Sequence, residues 1–155
     1  MPHTTEPSVL LIDDEAAFVD TLAERLRLRG MQVALAYNGQ EGLRLMLRTM
    51  PDVVVLDLRM PGMDGMETLK SIKAINAYTQ VIIVTGHGHT VEQIMASRLA
   101  AHSFHKKPLD FETLLTAIYK AQRHKQEYAN LALSLAKAPD DEAARALLKQ
   151  QPQLF

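Results

Sequence analysis

Three uninterrupted apolar runs stand out in an otherwise mixed pattern of hydrophobic and polar residues. They are residues 9–12 (VLLI), 53–56 (VVVL) and 81–84 (VIIV). No polar residue alternates with the apolar ones, so each run is typical of a strand that helices cover on both faces of a parallel sheet. Weaker strand signals at residues 32–37 and 102–106 bring the predicted strands to five.

The segments between these runs repeat their apolar residues every three or four positions, which predicts helices. Asn38 and Asp64 are expected to cap two of them, and a fifth helix is expected to start near Asp110. The residues predicted to face inward are Phe18, Val19, Leu22, Leu26, Leu43, Met46, Leu47, Met50, Leu69, Ile72, Ile94, Met95, Phe111, Leu114, Leu115 and Ile118. Strand and helix signals alternate five times, which predicts a (βα)5 doubly wound α/β fold with a five-stranded parallel sheet in the order 2-1-3-4-5.

The predicted α/β unit spans residues 7–122, and residues 123–155 form a helical C-terminal extension. The extension is too short for a DNA-binding or catalytic output domain. A break is expected near Pro139, followed by a short helix capped by Asp140 or Asp141. A dimerisation or partner-docking helix and a partly frayed helix both fit this segment. The chain is therefore a single-domain protein or one piece of a larger one.

Composition removes several classes of function. The formal net charge of −1 gives no reason to expect nucleic acid as a partner. The chain has no cysteine, which excludes disulfides, thiolate metal sites and cysteine nucleophiles. Its apolar runs are far shorter than a membrane span or the core of a signal peptide. A soluble, cytoplasmic protein with no membrane partner is expected.

Each of the three apolar runs ends at a polar residue: Asp13, Asp57 or Thr85. In a doubly wound sheet ligands bind beyond the carboxyl ends of the strands, at the switch point between the first and third strands. Asp13, Asp14 and Asp57 are therefore expected to meet there. An aspartate before a helix is often only a cap, but three at converging strand ends indicate a site.

Such an acidic cluster needs a compensating cation, because neighbouring carboxylates repel one another. Ligands that are all oxygen atoms suit a hard ion, which points to Mg²⁺. Lys107, in the segment KKPLD at the end of the fifth strand, would reach the same rim as a point charge for a phosphate. Thr85 would add a hydroxyl group.

These residues occur in order, with helix-sized gaps, in the motifs LLIDDE, VVVLDLRMPGMDG, VIIVTGHG and FHKKP. In this the chain resembles the receiver domain of bacterial two-component response regulators over roughly residues 7–122. The resemblance implies that Asp57 takes a phosphoryl group from a sensor histidine kinase or a phosphotransfer protein. Asp14, Asp57 and the backbone carbonyl of Arg59 would bind Mg²⁺ directly, and Asp13 would act mainly through water.

The resemblance also implies what the remaining site residues do. Lys107 would pair with Asp57 before transfer and with a phosphoryl oxygen afterwards, while Thr85 would hydrogen-bond another oxygen. Thr85 and Phe104 would form the switch that remodels the face of the fourth helix, fifth strand and fifth helix for a downstream protein. No other cofactor is implied. Such a domain is not an enzyme with an external substrate, although it promotes its own phosphorylation and dephosphorylation. The Lys107–Pro108 peptide bond would be cis.

Some positions depart from the usual pattern of that family. Ala100 replaces the usual glycine before the fifth strand, so the turn there is expected to avoid positive φ. His102 and His105 are an odd number of residues apart on the predicted strand, which would put them on opposite faces. His87 and His89 could share a metal ion, although exposed loop histidines are the more common outcome.

Two rival classes share the fold or the nucleophile. A haloacid-dehalogenase-type phosphotransferase also uses an aspartate at a strand end, but it needs a second acid where this chain has Arg59. A flavodoxin-like flavin protein needs a phosphate-binding loop after the first strand, where Asp13 and Asp14 would repel a phosphate. A P-loop enzyme is excluded because the sequence has no GxxxxGK motif.

Overall fold

The five predicted strands form one parallel sheet. The computed structural model describes residues 5–60, 62–86, 90–138 and 140–149. Every neighbouring pair of strands is parallel, and the order is β2-β1-β3-β4-β5, so the predicted topology is confirmed. The strands are β1 (Ser8–Ile12), β2 (Gln32–Ala36), β3 (Val53–Leu56), β4 (Gln80–Thr85) and β5 (Ser103–Lys106).

Helices cover both faces of this sheet. They are α1 (Ala16–Leu28), α2 (Gly39–Thr49), α3 (Gly65–Ile75), α4 (Thr90–Arg98), α5 (Phe111–Lys137) and α6 (Glu142–Lys149). Successive strand side chains point to opposite faces, so Leu11 packs with α1 and α5 whereas Leu10 and Ile12 pack with α2, α3 and α4. This two-sided burial explains why the strand runs contain no polar residue.

Three aspartate or asparagine caps fix where helices begin. The side chain of Asn38 accepts a hydrogen bond from the backbone N–H of Glu41 at 2.9 Å, and Asp64 accepts one from Glu67 at 2.8 Å. Asp110 accepts one from the N–H of Thr113 at 3.1 Å. Each cap satisfies an amide that has no partner inside its helix, which confirms the predicted starts of α2, α3 and α5.

Four of the predicted inward-facing residues are exposed instead. Leu47 and Met50 are 63% and 45% exposed, and Ile94 and Met95 are 49% and 51% exposed. Met50 lies beyond α2 as its left-handed C-cap, so its side chain leaves the helical face. In α4 the small residue Ala96, only 1% exposed, packs on the sheet. The apolar spacing of these helices did not identify which residue faces the core.

The turn between α4 and β5 has the positive φ that its alanine was expected to avoid. Ala100 has φ of 64°, so that prediction is wrong. The N–H of Ala100 donates to the carbonyl of Ser97, and the N–H of Ala101 donates to that of Ala96, each at 3.0 Å. This is the Schellman pattern that ends many helices, and it requires a left-handed residue at position 100. Ala100 therefore adopts the left-handed conformation despite its steric cost.

The C-terminal extension packs against the edge of the domain that is opposite the acidic strand ends. Helix α5 continues into the extension, where His124 Nδ1 lies 2.9 Å from His102 Nε2. Lys125 Nζ lies 2.6 Å from Asp52 Oδ1, just before β3. Tyr128 is 5% exposed. These contacts make the first turns of the extension part of the packed structure. Burial, together with the charge of the nearby His124, lowers the pKa of His102 from 6.5 to about 4.

His102 and His105 both line a groove of about 540 Å³ beside α5, contrary to the prediction of opposite faces. His102 precedes β5, so the alternation of strand side chains does not apply to it. His105 Nε2 lies 2.9 Å from Ser103 Oγ. The predicted break near Pro139 falls on a residue outside the described ranges, as do His87 and His89.

The strained turn makes a direct prediction about stability. Replacing Ala100 with glycine is expected to raise the free energy of unfolding by about 0.5–1 kcal/mol, because glycine adopts positive φ without steric cost. Urea unfolding followed by circular dichroism measures the change. The matched control is Ala101→Gly, which is expected to be neutral or destabilising. A destabilised Ala100→Gly variant would show that this residue does not need the left-handed conformation.

Candidate functional site

The carboxyl ends of β1 and β3 bring three aspartates together. The two strands are neighbours, with Ile12 in register with Leu56, so the residues that follow them meet at one edge of the sheet. Carboxylate oxygens of Asp13, Asp14 and Asp57 lie within 4.8 Å of one another. Among the described residues this is the one cluster of three or more potential metal-binding side chains. The clustering predicted from sequence is confirmed.

Backbone contacts fix the two buried members of this cluster. Asp13 and Asp57 are each 5% exposed, whereas Asp14 is exposed. The N–H of Asp57 donates to the carbonyl of Ile12 at 3.0 Å, and that of Asp13 donates to Ala36 at 3.1 Å. Asp57 Oδ1 accepts a further hydrogen bond from the N–H of Arg59 at 3.1 Å. The sheet thus fixes the backbone of both residues, and the Arg59 amide orients the Asp57 carboxylate.

The loop after β3 depends on a glycine that follows Asp64. A Cβ atom added to Gly65 would lie 2.7 Å from the backbone oxygens of Asp57 and of Leu58. The N–H of Gly65 also donates to the carbonyl of Leu58 at 3.0 Å. Helix α3 therefore starts directly against the backbone that carries Asp57. This close approach explains why glycine follows Asp64 in the motif VVVLDLRMPGMDG.

Lys107 supplies the positive charge at this edge. Its Nζ lies 2.7 Å from Asp13 Oδ2, 3.0 Å from Glu15 Oε1 and 3.5 Å from Asp57 Oδ2. The N–H of Lys107 donates to the carbonyl of Thr85 at 3.0 Å, which joins the ends of β4 and β5. The Lys107–Pro108 peptide bond is cis, as the family resemblance implied. One ammonium group is therefore shared among three carboxylates.

The pKa values of Asp13 and Lys107 show that the negative charge here exceeds the positive charge. Burial raises the pKa of Asp13, and the hydrogen bond from Lys107 offsets this only in part. Burial also acts to lower the pKa of Lys107, but its hydrogen bonds to Asp13 and Glu15 outweigh burial and raise it. Lysine therefore stays protonated while a buried carboxylate still lacks full compensation. A further cation would fit this site.

The donor set also agrees with a hard divalent cation. The cluster offers only oxygen ligands, which suit Mg²⁺. That ion usually binds one or two carboxylates directly and keeps several waters. Asp14 is exposed, so the cluster opens to solvent on that side. The residues present therefore fit a Mg²⁺ ion.

The two predicted switch residues lie on adjacent strands. Thr85 ends β4 and is fully buried. Phe104, on β5 beside Ile83, is half-buried and packs against the core on the α2, α3 and α4 side. Arg59 lies in the loop after β3, next to the cluster.

Glu15 is the site residue that sequence reasoning missed. Its position after the paired aspartates was visible in the motif LLIDDE. The start of a helix is a common place for an acid, so nothing in the sequence distinguished it from a residue that only favours the helix N-terminus.

The comparisons with known proteins agree with this fold and site. Residues 9–119 match the family model of the response regulator receiver domain. The chain belongs to this family, whose members are the signalling switches of response regulators. That membership favours a receiver domain over a haloacid-dehalogenase-type phosphotransferase or a flavodoxin-like flavin protein. No helix in the described part of the chain is long and apolar enough to cross a membrane.

Relatives show the same unit inside longer proteins. The chain is 35% identical over 138 residues to the C4-dicarboxylate transport transcriptional regulatory protein DctD of Pseudomonas aeruginosa, covering 87% of this chain and 30% of that protein. It is 37% identical over 110 residues to the transcriptional regulatory protein GlrR of Escherichia coli, covering 71% and 25%. The chain therefore spans less than a third of the length of either relative.

A solved receiver domain from Clostridium thermocellum superposes with a TM-score of 0.74 at 34% identity, covering 78% of this chain and 98% of that chain. A CheY-like receiver from Methanospirillum hungatei superposes with a TM-score of 0.76 at 23% identity, covering 78% and 97%, and so supports the fold alone.

The shared lysine makes a prediction about stability without metal. Replacing Lys107 with glutamine is expected to lower the free energy of unfolding by about 1–3 kcal/mol in Mg²⁺-free buffer, because Asp13 and Asp57 then lack a cation. Added Mg²⁺ should recover part of this loss. Urea unfolding with EDTA or with Mg²⁺ measures both effects.

The neighbouring, exposed Lys106 provides the matched control for this variant. Lys106→Gln is expected to stay within about 0.5 kcal/mol of the native chain in both buffers. If Lys107→Gln were as stable as the native chain with EDTA, the buried carboxylates would not depend on this ammonium group.

Proposed function

We propose that the chain is a phosphorylation-dependent switch in which Asp57 accepts a phosphoryl group from a phosphohistidine. The donor would be a sensor histidine kinase or a phosphotransfer protein. The main support is the placement of Asp57, an almost buried carboxylate at the end of β3 with an ammonium group at 3.5 Å. Family membership supports it.

The transfer step would need little covalent help from the protein. An oxygen of Asp57 would form the new bond to phosphorus as the bond from phosphorus to the donor imidazole nitrogen breaks, and the electron pair would leave with that nitrogen. The transition state for such a transfer is loose, so catalysis consists mainly of positioning and charge neutralisation. The Arg59 amide would fix the Asp57 carboxylate, and Lys107 would donate a hydrogen bond to a phosphoryl oxygen.

The metal would be held at the same edge of the sheet. Asp14, Asp57 and the backbone carbonyl of Arg59 would bind Mg²⁺ directly, and Asp13 would contribute mainly through a bound water. When bound, Mg²⁺ would neutralise charge on the phosphoryl oxygens. The hydrogen bond from Lys107 to Asp13 would remain.

The output would begin at the ends of β4 and β5. The hydroxyl of Thr85 would donate a hydrogen bond to a phosphoryl oxygen. The side chain of Phe104, on the adjacent strand, would then change its position. The face formed by α4, β5 and α5 would thereby change for a downstream protein or a second copy of the chain. Phosphorylation would act by adding charge that shifts a two-state equilibrium. We assign this switch to residues 7–122 and treat residues 123–155 as an extension.

Phosphorylation of Asp57 can be measured by intact mass spectrometry after incubation with acetyl phosphate. The native chain is expected to gain one phosphoryl group that is stable in acid and labile in base. Chelation of Mg²⁺ with EDTA should slow its formation by about 100-fold or more, because the oxygen charges are then less neutralised. Asp57→Asn should gain none, because an amide is a poor nucleophile of nearly the same shape.

The exposed Asp140 is the control for this experiment, since Asp140→Asn should be phosphorylated like the native chain. Phosphorylation of the Asp57→Asn variant to the native extent would place the acceptor elsewhere. No adduct on the native chain, with Mg²⁺ binding also absent, would overturn the switch.

A further inference from the structure

Glu15 contacts Lys107 more closely than Asp57 does. Glu15 Oε1 lies 3.0 Å from Lys107 Nζ, within hydrogen-bond distance, whereas Asp57 Oδ2 lies at 3.5 Å. An ammonium group has three N–H donors. One is directed to Asp13 at 2.7 Å and one to Glu15, so the two shorter contacts of Lys107 are not made with the proposed phosphoryl acceptor.

The local structure explains why the Glu15 side chain is available for this contact. Glu15 is the N-cap residue of α1, yet its side chain makes no capping hydrogen bond. Its backbone N–H instead donates to Asp13 Oδ1 at 2.9 Å. The Glu15 side chain is 61% exposed, against 6% for that of Asp57, so it can move away from Lys107 without breaking the core.

We propose that Glu15 is a positioning residue that holds Lys107 away from Asp57 until phosphoryl transfer begins. This inference rests on the proposed function. As a phosphoryl group forms on Asp57, one of its oxygens requires a donor, and Lys107 meets that need by exchanging its bond to Glu15. The Asp13 contact remains, and it keeps the ammonium group at the site throughout the exchange.

The contact is weak enough to be exchanged during a reaction. Only the Lys107 side chain is largely buried, at 11% exposed, whereas the Glu15 side chain is 61% exposed, so water can solvate the Glu15 carboxylate when Lys107 leaves it. Loss of such a pair corresponds to about a two- to fivefold change in a rate or equilibrium constant. Glu15 is therefore expected to slow phosphorylation modestly and not to prevent it.

Two variants of Glu15 separate its contact from its charge. Glu15→Gln removes the charge and weakens the hydrogen bond to Lys107. Glu15→Asp keeps the charge on a side chain that is one methylene shorter, which is expected to lengthen or break the contact with Lys107. Glu24, exposed on the same helix, provides the charge-matched control as Glu24→Gln.

The rate constant for phosphorylation by acetyl phosphate is measured at saturating Mg²⁺ for each chain. Both Glu15 variants are expected to be about two- to fivefold faster than the native chain, and Glu24→Gln unchanged. In a Lys107→Gln background, Glu15→Gln should have no effect, because the group that it positions is gone. A purely structural role for Glu15 would not depend on Lys107 in this way.

The outcomes distinguish this inference from the proposed function. A native chain that is phosphorylated on Asp57 at the same rate as both Glu15 variants would overturn the role of Glu15 alone. Acceleration by Glu15→Gln but not by Glu15→Asp would also overturn it, since charge and not contact would then be responsible. A native chain that takes no phosphoryl group would overturn both.

Discussion

The structure depends on one ammonium group shared among three carboxylates at the carboxyl edge of the sheet. Lys107 contacts Asp13, Glu15 and Asp57 at 2.7, 3.0 and 3.5 Å. Parallel strands whose ends meet at one edge make this crowding unavoidable, because β1 and β3 are neighbours. The raised pKa of Asp13 is the consequence of burying a carboxylate with too little positive charge. A bound divalent cation and a transferred phosphoryl group would each change how Lys107 contacts these three carboxylates.

Much of the fold could be predicted because it follows from periodicity and from local hydrogen bonding. Apolar runs such as 53–56 have one stable arrangement, a strand buried on both faces. The caps at Asn38 and Asp64 involve residues three apart, so the sequence contains both partners. The acidic cluster followed from topology, since the order of the strands determines which strand ends meet.

The features that could not be predicted depend on contacts between distant segments. Glu15 reaches Lys107 across 92 residues of sequence, and His102 reaches His124 on the extended α5. In α4, Ala96 faces the sheet while Ile94 and Met95 are exposed. Which of these residues faces the sheet depends on how closely the helix packs against it. The positive φ of Ala100 is imposed by the end of that helix, against the preference of alanine itself.

Under the proposed function, a phosphoryl group on Asp57 would reorganise the contacts of Lys107 and change the strand ends beside it. Beryllofluoride with Mg²⁺ is a stable mimic of an aspartyl phosphate, and two-dimensional NMR can follow the backbone amides as it is added. The native chain is expected to show shifts at Asp57, Thr85, Phe104 and Lys107 that are absent in the Asp57→Asn variant. Unchanged spectra for the native chain, or equal shifts in that variant, would rule out a switch that acts through Asp57.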